Sequence, residues 1–172
     1  MVVIRKAEVE DAAGIAQVQV QSWRTTYAGI VPESFLAEMS EAEQTGRWRM
    51  LLTDDVVAMA AEREGRIVGF AIGGASRDRV QGCDAELYAI YLLAVEQRLR
   101  IGTELLRETA RGLSEAGFAS MDVWVLQANS AKRFYERMGA QYAAAKEIEI
   151  GGVKLMEEGF IWPDLKALAS LP

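Results

Sequence analysis

The chain has 172 residues, of which 51% are hydrophobic and 26% charged, with one cysteine and no histidine. This length and composition fit one globular domain with a single hydrophobic core. The lone cysteine excludes an intrachain disulfide, and the lack of histidine excludes Ser-His-Asp and Cys-His nucleophile systems and histidine-ligated zinc. We expect no metal site, and acid–base chemistry must come from carboxylates, tyrosine, lysine, cysteine or water.

Charge and hydropathy limit the partners and the location. The formal net charge of −6 argues against general nucleic-acid binding, which depends on neutralising phosphates. The longest apolar run, Leu87–Val95, has nine residues, far fewer than the ~20 that span a bilayer. The first residues lack the apolar segment of a signal peptide. These features predict a cytoplasmic protein that binds neither nucleic acid nor membrane.

The charge is distributed unevenly along the chain. Residues 96–137 contain seven positive and six negative side chains, so the remainder carries a net charge of −7. A less acidic patch on an acidic body is compatible with a polyanionic ligand on one side and a cationic substrate on the other. Ordinary scatter of surface charge explains the same numbers equally well.

The first half of the chain alternates between periods typical of helices and of strands. Apolar residues recur at helical spacing after a short first strand, and Ser40 and Glu43 match a capping box that begins another helix. Two strands follow, joined by a polar turn that is typical of a hairpin. The predicted elements are strand Val2–Ala7, helix Asp11–Arg24, a helix from Ser40 to about Leu51, and strands Val56–Glu62 and Ile67–Gly73.

The second half predicts a strand–helix–strand unit followed by a hairpin. Gly117 and Gly139 each follow a helical pattern and are expected to end it, and Gly151-Gly152 is a turn signal. The predicted elements are strand Glu86–Val95, helix Gly102–Ala116, strand Ser120–Leu126, helix Asn129–Met138, and strands Tyr142–Ile150 and Val153–Trp162. Because a helix joins the first two strands, they are expected to be parallel in a mixed sheet with helices on both faces.

The connection between the strand Glu86–Val95 and the next helix carries the first chemical signal. Two arginines lie in this loop, and Gly102 opens the helix. The N-terminus of a helix presents unpaired N–H groups and the positive end of a dipole, which suits a phosphate group. By itself this pattern is weak, because many strand–loop–helix connections look the same.

A second stretch, VWVLQANSAKRFYERMGA at residues 123–140, adds specificity. Together the two stretches resemble the signature of the GNAT superfamily of acetyl-CoA-dependent N-acetyltransferases. The resemblance extends from Val3 to about Trp162 and includes the amino-terminal and closing segments. The matching residues are Gln97 and Gly102 in the first motif, and Asn129, Ala131 (one position early), Phe134, Tyr135 and Gly139 in the second.

The resemblance implies a fold and an activity. The fold would be a single N-acetyltransferase domain over residues 1–172, with its core at about 2–163 and a short C-terminal tail. Its mixed, mostly antiparallel sheet of six or seven strands would have helices on both faces and two central strands splayed to admit CoA. The activity would be transfer of an acetyl group from acetyl-CoA to a primary amine, on a small molecule or a protein, by direct attack in a ternary complex.

Two alternatives come from other classes. A non-catalytic acyl-CoA-binding or regulatory domain would share the motifs but show no amine-dependent release of CoA. A generic α/β nucleotide-binding module is disfavoured, because no G-x-G-x-x-G follows the first strand. Exposed strand edges in a small sheet also make a homodimer a possible assembly.

The resemblance also implies roles for particular residues in holding the cofactor. Backbone amides of the loop and first helical turn would bind the pyrophosphate, the end of the strand would pair with the pantetheine arm, and Asn129 would hydrogen-bond to that arm. The implied cofactor-binding residues are Leu92, Leu93, Val95, Arg98, Leu99, Arg100, Ile101, Gly102, Thr103, Asn129 and Lys132.

Arg100 departs from the family pattern, which has glycine at this position. Glycine lets the backbone approach the pyrophosphate and adopt unusual φ values. Arg100 either adds a guanidinium ligand for phosphate or crowds the site with its side chain. The sequence leaves both alternatives open.

Tyr135 and Glu86 are the expected catalytic residues. The resemblance implies that Tyr135 protonates the leaving thiolate, since a phenol pKa of ~10 exceeds the ~8.5 of a thiol; the alternative is a core aromatic. An amine with a pKa near ~10.4 needs a base. Glu86 is the best candidate and by alternation should share a face with Tyr88 and Ile90, although a solvated carboxylate is the alternative.

Two aromatic residues are candidates for the acceptor pocket. Trp23 and Tyr27 lie in or after the first helix, where they either wall the pocket or simply pack. Cys83 lies in a polar loop with nothing nearby in sequence to activate it, so we assign it no role.

Overall fold

A computed structural model describes all residues 1–172 and contains one seven-stranded sheet. Its strand order is β1-β2-β3-β4-β5-β7-β6, and only the central β4–β5 pair is parallel. This confirms the predicted mixed, mostly antiparallel sheet. The strands are β1 (Val2–Lys6), β2 (Val57–Arg63), β3 (Arg66–Ala75), β4 (Ala85–Leu92), β5 (Met121–Leu126), β6 (Gln141–Ile150) and β7 (Val153–Trp162).

Six helices cover the two faces of the sheet, and none is long and apolar enough to cross a membrane. The Ser40 hydroxyl accepts a hydrogen bond from the Glu43 N–H at 3.2 Å, so the predicted helix begins at its expected cap. The helices are α1 (Ala12–Thr26), α2 (Glu33–Glu38), α3 (Glu41–Leu51), α4 (Ile101–Glu115), α5 (Lys132–Arg137) and α6 (Leu165–Ala169).

Helix α4 packs on one face of the sheet through the residues that its periodicity selects. Ile101, Leu105, Leu106 and Leu113 are all buried, and they belong to the largest apolar cluster of the protein. Gly117 follows the helix with a φ of +99°, a conformation that glycine adopts without strain. The predicted inward face and the predicted end of this helix are therefore confirmed.

The C-terminal residues differ from the expected short tail. They form α6, whose Leu165 and Leu168 are buried in the same cluster as α4. The Asp164 carboxylate accepts a hydrogen bond from the Ala167 N–H at 3.0 Å and caps this helix. Five helical residues are too few to show a periodicity in sequence, so the packing of this segment is visible only in the structure.

The central pair β4–β5 is paired at one end only. Its parallel ladder is limited to Ala85 with Met121 and Glu86 with Asp122, after which β5 pairs only with β7. The strands therefore splay, leaving a gap between residues 87–92 of β4 and 123–126 of β5. Backbone N–H and C=O groups along the edge of β4 have no strand partner there, so they are available to a ligand.

A β-bulge changes the phase of β4. Ala89 pairs with Ile72 and Leu87 pairs with Gly73, so Tyr88 is an extra residue without a partner. As a result Leu87 and Ile90 both pack in the cluster beneath α4. The prediction that Glu86 shares a face with Ile90 is wrong, because the bulge reverses the alternation between them.

Candidate active site

Tyr135 lies on α5 and packs in the apolar cluster on the α4 side of the sheet. Its ring is 6% exposed and packs in the α4-side cluster, with ring centroids 5.7 Å from those of Phe134 and Trp162. Burial raises the pKa of Tyr135, with a smaller contribution from the nearby Tyr27 on the opposite face. Its hydroxyl therefore stays protonated at neutral pH, so the side chain both packs in the core and carries a proton that can be donated.

A hydrogen-bonded group of polar side chains adjoins Tyr135 on the face opposite α4. The hydroxyls of Tyr27 and Tyr91 are 3.4 Å apart, and the side-chain amide of Asn129 donates to the Tyr27 hydroxyl at 3.3 Å. Burial raises the pKa of both phenols. Tyr91 was not predicted from the sequence, because it lies within an apolar run whose phase depends on the bulge.

The two predicted pocket aromatics pack together beside this group. The ring centroids of Trp23 and Tyr27 are 4.6 Å apart, and Tyr27 is buried in a small cluster that includes Leu126 at the end of β5. The indole N–H of Trp23 is buried and has no hydrogen-bond partner. These residues combine packing with a position near the open end of β5.

Glu86 forms an ion pair that sequence reasoning missed. Its side chain is 2% exposed, whereas the side chain of its partner Arg77 is 68% exposed. The Arg77 guanidinium donates two hydrogen bonds to Oε2 of Glu86, one of them from Nε at 2.8 Å. The alternative of a solvated carboxylate is therefore wrong. Arg77 lies in the β3–β4 loop, and nothing in its local sequence signals this contact.

Asp122 is the neighbour of Glu86 across the β4–β5 ladder and is fully buried. Oδ2 of Asp122 accepts a hydrogen bond from the Ser76 hydroxyl at 2.6 Å, whereas its buried Oδ1 has no partner. Burial is the largest effect on the pKa of Asp122 and raises it. The hydrogen bond from Ser76 lowers this pKa, and the negative charge of Glu86 raises it. Two carboxyl groups thus share this end of the gap.

Glu157 and Lys146 extend the charged surface across β7 and β6. The ammonium group of Lys146 lies 2.5 Å from Asp78, 3.9 Å from Glu157 and 4.0 Å from the centre of the Trp124 ring. Burial raises the pKa of Glu157, and the positive charges of Lys146 and Arg77 partly offset this increase. Together these groups form what we call the charged face. It consists of the carboxyl groups of Asp78, Glu86, Asp122 and Glu157 and the cations Arg77 and Lys146.

The loop before α4 adopts the backbone conformation that favours glycine. Arg98 has a φ of +64° and Arg100 a φ of +65°, and both side chains are exposed. No side chain caps the N-terminus of α4, so the N–H groups of its first turn are free. Of the predicted loop residues, Leu99 is exposed, whereas Ile101 is buried and offers a ligand only its backbone.

The remaining predicted cofactor residues are held in different ways. Strand β4 ends at Leu92, the N–H of Leu93 donates to Val68 on β3 at 3.0 Å, and Val95 is exposed in a 3₁₀ turn. The predicted strand Glu86–Val95 is therefore too long by three residues, and its last residues do not continue the edge of the gap.

Three further predicted side chains already have partners within the protein. Asn129 bonds to Tyr27 and accepts from the Ala131 N–H at 2.9 Å, and Lys132 lies 3.2 Å from Glu158. The hydroxyl of Thr103 lies 3.9 Å from the Met138 sulfur, and a Cβ at Gly102 would be in ordinary contact with Phe134.

The structure shows neither an activated cysteine nor a metal-binding cluster near the gap. Burial raises the pKa of Cys83, which favours an unreactive thiol. No group of three or more Cys, Asp or Glu side chains is arranged to hold a metal ion.

Comparisons with known proteins agree with this geometry. The sequence profile of the acetyltransferase (GNAT) family matches residues 19–140. The chain is 42% identical over 171 residues to the uncharacterized N-acetyltransferase YuaI of Bacillus subtilis, covering 99% of this chain and 98% of that protein. It is 26% identical over 144 residues to a spermidine N(1)-acetyltransferase of Thermoplasma acidophilum, covering 79% of this chain and 86% of that protein.

Solved structures share the fold. The PaiA N-acetyltransferase of Thermoplasma acidophilum, in complex with coenzyme A, superposes with a TM-score of 0.66 at 22% identity, over 92% of this chain and 98% of that chain. A ribosomal-protein-alanine N-acetyltransferase from Brucella melitensis superposes with a TM-score of 0.74 at 20% identity, over 94% of this chain and 99% of that chain.

Proposed function

The chain belongs to the acetyltransferase (GNAT) family and is an acetyl-CoA-dependent N-acetyltransferase, and we propose that its acceptor is a cationic amine that attacks the thioester directly in a ternary complex. The observation that carries this proposal is the charged face beside the gap. It brings four carboxyl groups together with only two cations, of which Arg77 pairs with Glu86 and Lys146 with Asp78. Such a surface attracts an ammonium group and repels an acidic acceptor.

The residues at the gap fit acetyl-CoA as the second substrate. The unpaired edge of β4 offers backbone groups that an extended pantetheine arm can use in place of a strand. The uncapped N-terminus of α4 suits the pyrophosphate, and the exposed guanidinium groups of Arg98 and Arg100 add positive charge there. Asn129 and Lys132 would have to exchange their present partners to contact the cofactor.

Tyr135 is the proposed general acid. Its hydroxyl is protonated at neutral pH and makes no hydrogen bond within the protein. A proton from Tyr135 to the departing sulfur prevents the build-up of thiolate, which is the poorer leaving group at a buried site. The ring contacts with Phe134 and Trp162 fix the direction of the hydroxyl.

Glu86 is the proposed general base. An ammonium group must lose a proton before its nitrogen can attack, and Glu86 is the carboxylate on β4 next to the gap. The proton passes from the nitrogen to a carboxylate oxygen, directly or through one water molecule. The N–C bond then forms as the C–S bond breaks, and the products are an amide and CoA.

A polyamine is the first acceptor to test, because spermidine is the substrate that names one relative. A solved structure that shares the fold is named for an alanine of a ribosomal protein, so a peptide with an alanine amine is the second candidate. The charged face favours the polyamine, since spermidine carries several positive charges and no carboxylate.

The test is a screen for acetyl-CoA-dependent thiol release with the purified protein. Spermidine, lysine amide, an alanine-terminated peptide and glutamate would be compared at equal concentration. We expect the highest kcat/KM for spermidine and almost none for glutamate, whose carboxylates face like charges. A preference for glutamate would contradict the proposal, and thiol release independent of any amine would point to hydrolysis.

A further inference from the structure

Arg77 is the only charged partner of Glu86, and the two side chains differ sharply in exposure. Glu86 is almost fully buried, while two-thirds of the Arg77 side chain is open to solvent. The guanidinium makes all of its side-chain hydrogen bonds to Oε2 of Glu86, and its carbon lies 4.9 Å from the centre of the Tyr88 ring. A buried carboxylate is thus neutralised from the solvent side by a cation on a loop.

In this arrangement Arg77 occupies the carboxylate that the proposed base would need. Oε2 already accepts two N–H bonds from the guanidinium, and Oε1 faces the backbone N–H of Arg77 at 3.4 Å. An ammonium group that donates to Glu86 would need the positions that these N–H groups already occupy. Glu86 becomes available only if Arg77 moves away.

The surroundings determine what can replace Arg77. Without the guanidinium, Glu86 would face the buried Asp122 and the partly buried Glu157, with no cation on the same carboxylate. Oδ1 of Asp122 is also buried without a partner. Leaving buried carboxylates unpaired is costly, so the replacement must itself be positively charged.

We propose that the guanidinium of Arg77 occupies the place on Glu86 that the ammonium group of the acceptor takes, so that acceptor binding displaces Arg77. This inference rests on the proposed function and adds to it a residue that determines specificity. An uncharged amine cannot supply the lost cation, whereas an ammonium group replaces Arg77 and meets the base that deprotonates it. Arg77 then swings into solvent, where its side chain is already largely exposed.

The first experiment measures acceptor kinetics with spermidine at saturating acetyl-CoA. In Arg77→Gln, which removes a competing ion pair, we expect the KM for spermidine to fall about threefold or more, and the KM for acetyl-CoA to stay unchanged. Arg77→Lys, which keeps a weaker competitor, should give an intermediate value. An unchanged or increased KM for spermidine in folded Arg77→Gln would overturn the proposal.

Arg79 provides a matched control. It lies in the same loop and is exposed, and its side chain makes no hydrogen bond or ion pair. Arg79→Gln changes the net charge by the same amount, so it should leave the KM for spermidine unchanged. An equal effect in Arg79→Gln would mean that the loop acts only through its total charge. If Arg77→Gln does not fold, the KM for spermidine is compared between Arg77→Lys and Arg79→Lys. A lower KM in Arg77→Lys supports the proposal, and equal values contradict it.

A second experiment separates this inference from the choice of acceptor. Methylguanidinium should bind Arg77→Ala, fail to bind the Arg77→Ala/Glu86→Gln variant, and bind the parent weakly, as measured by calorimetry. If methylguanidinium binds as expected but spermidine is not acetylated, the inference that Arg77 is displaced by a cation is supported and the spermidine proposal is wrong. If spermidine is acetylated but methylguanidinium does not bind Arg77→Ala, the inference about Arg77 is wrong.

Discussion

On the face of the sheet covered by α4, the buried residues are almost all apolar, and the buried hydroxyl of Thr109 bonds to its own helix at Leu105. The opposite face has a smaller apolar cluster that includes Ile15 and Phe70. It also buries Glu86 and Asp122 at the paired end of β4 and β5, and the Tyr27–Tyr91–Asn129 group near the other end of β4. Both faces therefore bury apolar side chains, but only the second also holds buried carboxyl groups.

Tyr135 shows why the gap between β4 and β5 matters to this contrast. Its ring belongs to the apolar cluster on the α4 side, while its hydroxyl is close enough to Tyr27 for that group to affect its pKa. In a continuous sheet these two environments would be separated by the backbone layer. Because the strands splay, we expect a residue anchored by packing on one face to reach the other.

The largest expected effect comes from removing the Tyr135 hydroxyl. Tyr135→Phe retains the packed ring, so CoA affinity should be unchanged, while turnover should fall about ten- to ten-thousandfold, the usual range for one acid–base group. Because burial raises the pKa of Tyr135, the parent should not lose its acid below about pH 10, the ordinary value for tyrosine. Steady-state kinetics across pH would measure both effects.

Tyr142 provides the control for this substitution. It is 60% exposed on β6, so Tyr142→Phe should leave kcat unchanged. Unchanged turnover in Tyr135→Phe would assign the side chain to packing alone and would remove the link between the two faces.

The α4 face should respond in stability rather than in catalysis. Leu106 is a fully buried residue of α4, and Leu106→Ala should lower the free energy of unfolding by about 2–5 kcal/mol through lost burial and the cavity left behind. Below the melting transition the KM for the amine should not change. Denaturant unfolding and kinetics on the same sample test this, and an altered amine KM would show that the faces are coupled.

Arg100 tests whether the loop of the α4 face serves the cofactor through charge or through backbone. Its side chain is exposed, so Arg100→Ala should weaken CoA binding by about 1 kcal/mol if the guanidinium contacts phosphate. Arg100→Gly loses the same charge but relieves a φ of +65°, so it should bind CoA better than Arg100→Ala. In calorimetry, tighter binding than the parent by both variants would instead show that the side chain obstructs the loop.

The smallest effect concerns Asp122 on the polar face. Burial raises the pKa of Asp122, so the folded state retains its proton to higher pH than the unfolded state does. This contribution to stability is fully present below the unfolded pKa of ~3.9 and is lost as pH rises through the folded pKa. In Asp122→Asn the free energy of unfolding should therefore decline less between pH 4 and 7. Identical slopes for parent and variant would exclude a raised pKa at this residue.

Local features of the fold were determined by the sequence alone. The inward face of α4, the helix ends at Gly117 and Gly139, and the Gly151-Gly152 turn were all predicted. The motifs also pointed to Tyr135 and to the loop at Arg100. Helical periodicity, caps and turn chemistry act between residues a few positions apart, so their signals can be read in a short window.

Only the tertiary structure decided the chemistry of the charged face. Asp122 reaches Glu86 through the register of a two-residue parallel ladder, and Lys146 meets Asp78 across 68 positions of sequence. The bulge at Tyr88 reversed the expected phase of β4, because a single extra residue exchanges the two faces of a strand. Such contacts follow from strand order and register, which no local pattern encodes.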